Sequence, residues 1–246
     1  MSGHSKWSTI KRKKGANDAK RGAVFTRLSK DIALAAREGG DDPGMNSSLR
    51  LAIKKAKSSN MPSANIERAI KKGTGQLEGV NYENYLYEGY GPEGVAIMLE
   101  IMTDNKNRTV PDIRHIMSKN GGNLGESGCV SWMFEKKGVV IIKKSSINED
   151  DLLNHCLSYD IDDINSQDDN FYEINVDPNS FEAFCVELES NKYSIEAELS
   201  LQPQNTVKIK ESNAVSIINL LSLLEEHEDV QKIYTNLEIE TTKLDS

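Results

Sequence analysis

The sequence predicts an α+β protein that opens with a three-helix bundle and continues as alternating strands and helices. Between residues 19 and 73 apolar side chains recur at helical spacing, and from residue 95 onward short strand-like runs take turns with helical ones. Charge marks the same division. Residues 1–75 hold 17 Lys and Arg against 6 Asp and Glu, a net of +11, whereas residues 76–246 hold 13 against 32, a net of −19. At 246 residues the chain exceeds the usual size of one domain, so two or three small units are expected.

The first helix runs from Ala19, with Phe25, Leu28, Ile32 and Ala35 on one face, to Gly39 and Gly40, where two glycines stop it. After the turn-forming DDPG, a second helix groups Leu49, Ala52, Ile53 and Ala56 on one face and Arg50, Lys54 and Lys57 on another. A third begins after Pro62 with Ser63 as its N-cap, turns Ile66 and Ile70 inward, and ends at Gly73. Three short amphipathic helices gain stability only by packing together, which predicts a bundle.

Beyond GTGQLEG the period changes. VAIMLEIM alternates Val95, Ile97, Leu99 and Ile101 with Ala96, Met98, Glu100 and Met102, the pattern of a strand. A helix is expected over 109–119, with Pro111 in its first turn and Gly121 and Gly122 closing it. CVSWMFEKKGVVII reads as strand, placing Val130, Trp132 and Phe134 on one face. Helices then follow at 149–157, SFEAFCVELES and AVSIINLLSLLEE, and strands at FYEINV, SIEAELSL, TVKI and VQKIYTNLEI. The acidic DIDDINSQDDN reads as a solvated loop.

Several functions are excluded by what these residues can do. No apolar run approaches the roughly 18 residues a membrane span needs, and neither a signal-peptide core nor a transit-peptide helix follows Met1, so a cytoplasmic protein is expected. Cys129, Cys156 and Cys185 are odd in number and widely separated, which argues against a disulfide framework or a CxxC site. His4, His115, His155 and His227 lack metal-ligand spacing, and no GxSxG or GKS element is present. GYGPEG satisfies GxGxxG but leads into a strand through Pro92 and Glu93, so it reads as a tight bend. No enzyme, cofactor, metal or small-molecule substrate is expected.

The basic segment points to a polyanion. In the N-terminal arm, His4, Lys6, Trp7, Lys11, Arg12, Lys13 and Lys14, followed by Lys20 and Arg21, would contact phosphates, while Trp7 either stacks on a base or plugs the bundle. Lys54, Lys55, Lys57, Arg68, Lys71 and Lys72 extend this surface along the second and third helices. The SSNMPS connection lacks the tight Gly-containing turn of a helix-turn-helix, which weighs toward shape recognition of RNA over major-groove reading. A second surface is expected at TDNKNRTVPDIRH. There Asn105, Lys106, Asn107 and Arg108 would lie in a loop ahead of a helix N-terminus, with Arg114 and His115 on the helix. The competing reading has Asp104 and Thr109 capping that helix and Arg114 paired with a carboxylate.

MSGHSKWSTIKRKKGANDAKRG, NMPSANIERAIKKGTG, YEGYGPEGVAIMLEIMTDNKNRTVPDIRHIMSKNGGNLGESGCVSWMF and HEDVQKIYTN resemble, in order, the signatures of the YebC/PmpR family. The resemblance implies an N-terminal helical bundle followed by two α/β-sandwich (ferredoxin-like) domains, one inserted in the other. The boundaries would be 1–78 for the arm and bundle, 79–136 plus 205–246 for the central domain, and 137–204 for the acidic insertion. It also implies a regulator of gene expression. Bacterial relatives are probable transcriptional regulators binding promoter DNA, and others, including the mitochondrial translational activator of cytochrome c oxidase, resemble ribosome-associated factors binding ribosomal RNA.

Overall fold

A computed structural model describes residues 18–77 and 81–240, with side chains from residue 22. Its helical region holds α1 (Asp18–Gly39), α2 (Ser47–Ser58) and α3 (Ser63–Gly73). Then come β1 (Glu83–Tyr90), β2 (Ala96–Thr103), α4 (Lys106–Lys119), β3 (Asn123–Leu124) and β4 (Phe134–Lys143). These are followed by α5 (Glu149–Cys156), β5 (Ile161–Asn165), β6 (Phe171–Val176), α6 (Phe181–Ser190) and β7 (Ile195–Pro203). The chain closes with β8 (Val207–Lys210), α7 (Ala214–Glu226), β9 (Val230–Thr235) and β10 (Leu237–Glu240). Of the described residues, 18–129 and 212–233 form one compact unit, and 130–211 with 234–240 form a second.

In the first unit the helical periodicity becomes a core. Leu28, Ile32 and Ala36 of α1, Leu49 and Ala56 of α2, and Ile66 and Ala69 of α3 are buried together. Asn46 joins two helix ends: its side-chain oxygen accepts the Leu49 N–H at 3.0 Å, while its amide nitrogen donates to the carbonyls of Ala35 at 2.8 Å and Gly40 at 2.9 Å. Ser63 is not the cap of α3. Pro62 holds that position in an extended conformation, and Ser63 is the first helical residue. At its other end α3 presses on α1, since a Cβ on Gly73 would lie 2.2 Å from the Ala33 carbonyl oxygen.

The central sheet has the order β3-β1-β2-β9. β1 and β2 are an antiparallel pair, Tyr85 opposite Ile101 and Tyr87 opposite Leu99, joined through a 3₁₀ turn at Pro92–Gly94. Glu93 (φ 59°) and Gly94 (φ 72°) take left-handed conformations there, so GYGPEG is the tight bend its sequence suggests. β2 is buried on both faces apart from the half-buried Glu100. On one face α4 and α7 cover it: a Cβ on Gly89 would meet Met117, and one on Gly91 would meet Ile217 and Ile97. α1 reaches the end of β2 through Lys30, whose ammonium donates to the Met102 carbonyl at 3.1 Å.

Two local expectations are corrected in this region, and one strand, β1, forms from ENYLYEGY, which carries no clean period-2 signal. α4 begins at Lys106 and not at residue 109, because Asn105 caps it by accepting the Arg108 N–H at 3.1 Å, which places Pro111 inside the helix. Val130 and Trp132 are not on a strand: Ser131–Met133 is a 3₁₀ turn, Trp132 is 67% exposed, and β4 starts at Phe134.

The second unit carries β4-α5-β5-β6-α6-β7 in an antiparallel sheet of order β5-β6-β4-β7. This is the ferredoxin-like arrangement, with the first strand central between the third and fourth. Val140, Ile142, Ile174 and Val176 of the sheet pack against Leu152 of α5 and Phe184 and Leu188 of α6. The acidic stretch after Asp160 is partly strand: β5 pairs with β6 across a bulge between Ile161 and Asp163, which lets Ile161 and Ile164 reach the core. β8 pairs in parallel with β10 as a separate two-stranded sheet.

Candidate nucleic-acid interface

α2 and α3 present the cations that the sequence singles out. Lys54, Lys55 and Lys57 of α2 and Arg68, Lys71 and Lys72 of α3 are all exposed. Helical spacing sorts them by face. Arg50, Lys54 and Lys57 follow one flank of α2, whereas Lys55 falls on the opposite flank. There Lys55 acts on Asp31 of α1, whose carboxyl is pushed up by burial and held back chiefly by that lysine. Between the first flank of α2 and the start of α3 lies a groove of about 640 Å³, lined by Arg50, Ile53, Lys54, Lys57, Ile66 and Glu67. Arg50 is held at its edge, donating to the Pro43 carbonyl at 2.9 Å.

The arm residues His4, Lys6, Trp7, Lys11, Arg12, Lys13 and Lys14 lie outside the described residues, as do the side chains of Lys20 and Arg21.

The second expected surface is built differently from its sequence reading. Asn105 spends its side-chain oxygen on capping α4. Lys106, Asn107 and Arg108 form the first turn of that helix and not a loop ahead of it. The Lys106 ammonium sits 4.7 Å from the centre of the Tyr85 ring, a cation–π contact. Arg108 is engaged by two carboxylates, Asp104 at 3.2 Å and Asp229 at 3.1 Å. Asn107, Arg114 and His115 are exposed. Asn107 and Arg114, seven residues apart, share a face that Arg108 and His115 do not.

Asp229 is the centre of a network the sequence did not suggest. Its carboxylate is 1% exposed and pairs with the ammonium of Lys30, also buried, which donates in addition to the Glu228 carbonyl at 3.0 Å. The other carboxylate oxygen accepts from Arg108 and from the Thr109 hydroxyl at 2.6 Å. Thr109 lies 2.8 Å from the Thr103 hydroxyl, which accepts the Asn105 N–H at 3.0 Å. Burial by itself would raise the Asp229 carboxyl, but its bonds to Lys30, Thr109 and Arg108 outweigh that and bring it down to about 2. The Asp229 N–H donates to His227 Nδ1 at 3.1 Å, and burial lowers that imidazole below its ordinary value. A carboxylate so fully occupied has no capacity left for a ligand. Its role is to join α1, α4 and the turn before β9.

Among the described residues there is no group of three or more His, Cys, Asp or Glu side chains placed to hold a metal ion, and no helix is long and apolar enough to cross a membrane.

Comparison with known proteins agrees with this architecture. The profile of the TACO1/YebC protein N-terminal domain matches residues 5–76, and that of the TACO1/YebC second and third domain matches residues 82–237. A probable transcriptional regulatory protein of Halothermothrix orenii is 52% identical over 244 residues, covering 97% of this chain and 96% of that one. Another, from Pelotomaculum thermopropionicum, is 52% identical over 243 residues and covers 98% of this chain and all of its own. The crystal structure of a conserved hypothetical protein from Aquifex aeolicus superposes with a TM-score of 0.80 at 42% identity, over 93% of this chain and 95% of that one. Matched from its helical region through both sheets, this chain belongs to the TACO1/YebC family, a family of regulatory proteins and not of enzymes.

Proposed function

We propose that this protein regulates transcription in the cytoplasm by binding DNA, with the basic N-terminal region, residues 1–78, as its contact module. The observation that carries this reading is the exposed run of Lys54, Lys57, Arg68, Lys71 and Lys72 on two adjacent helices, within a segment of net +11 attached to an acidic remainder. The names of the relatives support it. So does the connection between α2 and α3. Residues 59–62 have a length that helix-turn-helix motifs use, and Asn60 adopts a left-handed conformation (φ 58°) that asparagine tolerates in place of glycine. The acidic insertion, 137–204, would keep the rest of the chain off the polyanion by repulsion.

Fluorescence-anisotropy titration of duplex DNA over a range of salt tests the reading. Replacing Lys54, Lys57 and Lys71 together by Ala should weaken binding on every sequence and reduce the salt slope by about 2 to 3. An unchanged slope would remove these helices from the interface. A ribosomal RNA fragment that binds far more tightly than duplex DNA in the same salt series would move the target to the ribosome.

A further inference from the structure

We propose that the groove between α2 and α3 receives one unpaired nucleotide of a DNA strand, its base resting on Ile53 and Ile66 and its phosphates meeting Arg50, Lys54 and Lys57. The proposal rests on the DNA-binding reading above and names what that surface grips.

Shape comes first. Contact with the outer phosphates of a duplex needs side chains that reach outward and no cavity behind them. Here the cations themselves line an open groove of about 640 Å³, within the range of roughly 300 to 1,000 Å³ over which proteins hold small organic groups. Its floor is apolar. Ile66 is buried and Ile53 half-buried, and a phosphate gains nothing there, whereas the flat face of a base does.

Charge orders the rest. Arg50, Lys54 and Lys57 stand at spacings of four and three residues along one side of α2, all exposed, with Arg50 fixed by its bond to the Pro43 carbonyl. Across the groove, on α3, stands the exposed carboxylate of Glu67. A phosphate would be repelled by it, while the N–H donors on the edge of a base would be accepted. From α2 to α3 the groove is therefore cationic, apolar and acceptor-bearing. A nucleotide is anionic, flat and donor-bearing in the same order. A base within a duplex has both faces stacked and its pairing edge used, so only an unpaired one can enter. The cost of opening a pair favours strands in which a position is already unpaired.

The test uses the full chain and two DNA duplexes of equal length, one fully paired and one with a single bulged 2-aminopurine. Anisotropy should show about tenfold tighter binding of the bulged duplex, with a rise in 2-aminopurine emission as the base leaves its stack. Ile53→Ser should bring the ratio of the two affinities to about one, and Ile53→Met, which keeps the apolar volume, should preserve it. Thermal melting monitored by circular dichroism verifies that both variants fold. Equal affinity of the unaltered protein for the two duplexes overturns the groove proposal and leaves the DNA-binding reading standing. A full preference retained by folded Ile53→Ser also overturns it, and no binding of either duplex overturns both readings.

Discussion

The ammonium of Lys30 and the carboxylate of Asp229 form a buried ion pair between residues 199 positions apart. Desolvating two charges is costly and is offset only when both are fully bonded, as they are here through Met102, Glu228, Arg108 and Thr109. The pair therefore fixes how α1 lies on the central sheet, and stability in this unit should depend on it.

Removing one partner leaves the other charge stranded. Asp229→Asn should cost about 3 kcal/mol in urea unfolding, because Lys30 stays buried without an anion. Lys30→Met should cost less, since Arg108 and Thr109 still hold Asp229. The double variant should be more stable than the sum of the two single losses by at least about 1 kcal/mol. Additive losses would show that the pair is not coupled.

Acid should weaken the same network in two steps. The folded carboxyl of Asp229 lies at about 2, below its ordinary 3.8, so the unfolded chain takes up the proton first. Roughly 2 kcal/mol of stability is then present above pH ~5 and is lost as pH falls toward 2. His227 is also depressed in the folded state, so protonation favours unfolding as pH drops below its ordinary 6.5. Unfolding free energies measured between pH 8 and pH 3 should fall through both windows. Asp229→Asn should flatten the lower one, and His227→Gln the upper.

Arg108 reads in sequence as a phosphate ligand, yet its guanidinium is already spent on Asp104 and Asp229. Arg108→Gln should lower the melting temperature by about 2 °C, a modest loss for a half-exposed pair. Its effect on DNA affinity should stay within about twofold, less than one lost phosphate contact produces. A large loss of affinity with an unchanged melting temperature would return Arg108 to the interface.

Two helical glycines should respond with opposite signs. Gly22 of α1 is exposed and a Cβ there meets nothing within 4 Å, so Gly22→Ala should stabilise by about 0.5 to 1 kcal/mol. At Gly73 the same propensity gain applies, but the Cβ would sit 2.2 Å from the Ala33 carbonyl oxygen, and prising α3 from α1 costs about 1 to 3 kcal/mol. Denaturant midpoints of the two variants should move apart.

Where local pattern and burial coincide, the chain could be read directly. Leu28, Ile32, Leu49, Ile66 and Ala69 reveal three helices because a 3.6-residue period survives any partner. α6 and α7 were legible for the same reason. β1 and β5 were not, because Glu88 and Asp163 interrupt the apolar alternation. Glu88 is buried where its carboxylate accepts the Gly128 N–H at 2.8 Å, and the bulge beside Asp163 shifts the register of β5. Asn105 hid the start of α4, since TDNKNRT holds several residues able to cap a helix and only the folded chain selects one.

Of the candidate interface, residue type and spacing placed Lys54, Lys57, Lys71 and Lys72 on helix surfaces without reference to any other element. The sequence by itself therefore determined the division into a basic helical segment and an acidic α+β remainder, since charge and local periodicity are properties of neighbouring residues. Only the tertiary structure decided which cations are occupied, which strands pair, and that two isoleucines and a glutamate would share a groove with Arg50. Coulomb energy and desolvation depend on distance in space, and Lys30 meets Asp229 only after the intervening chain has folded.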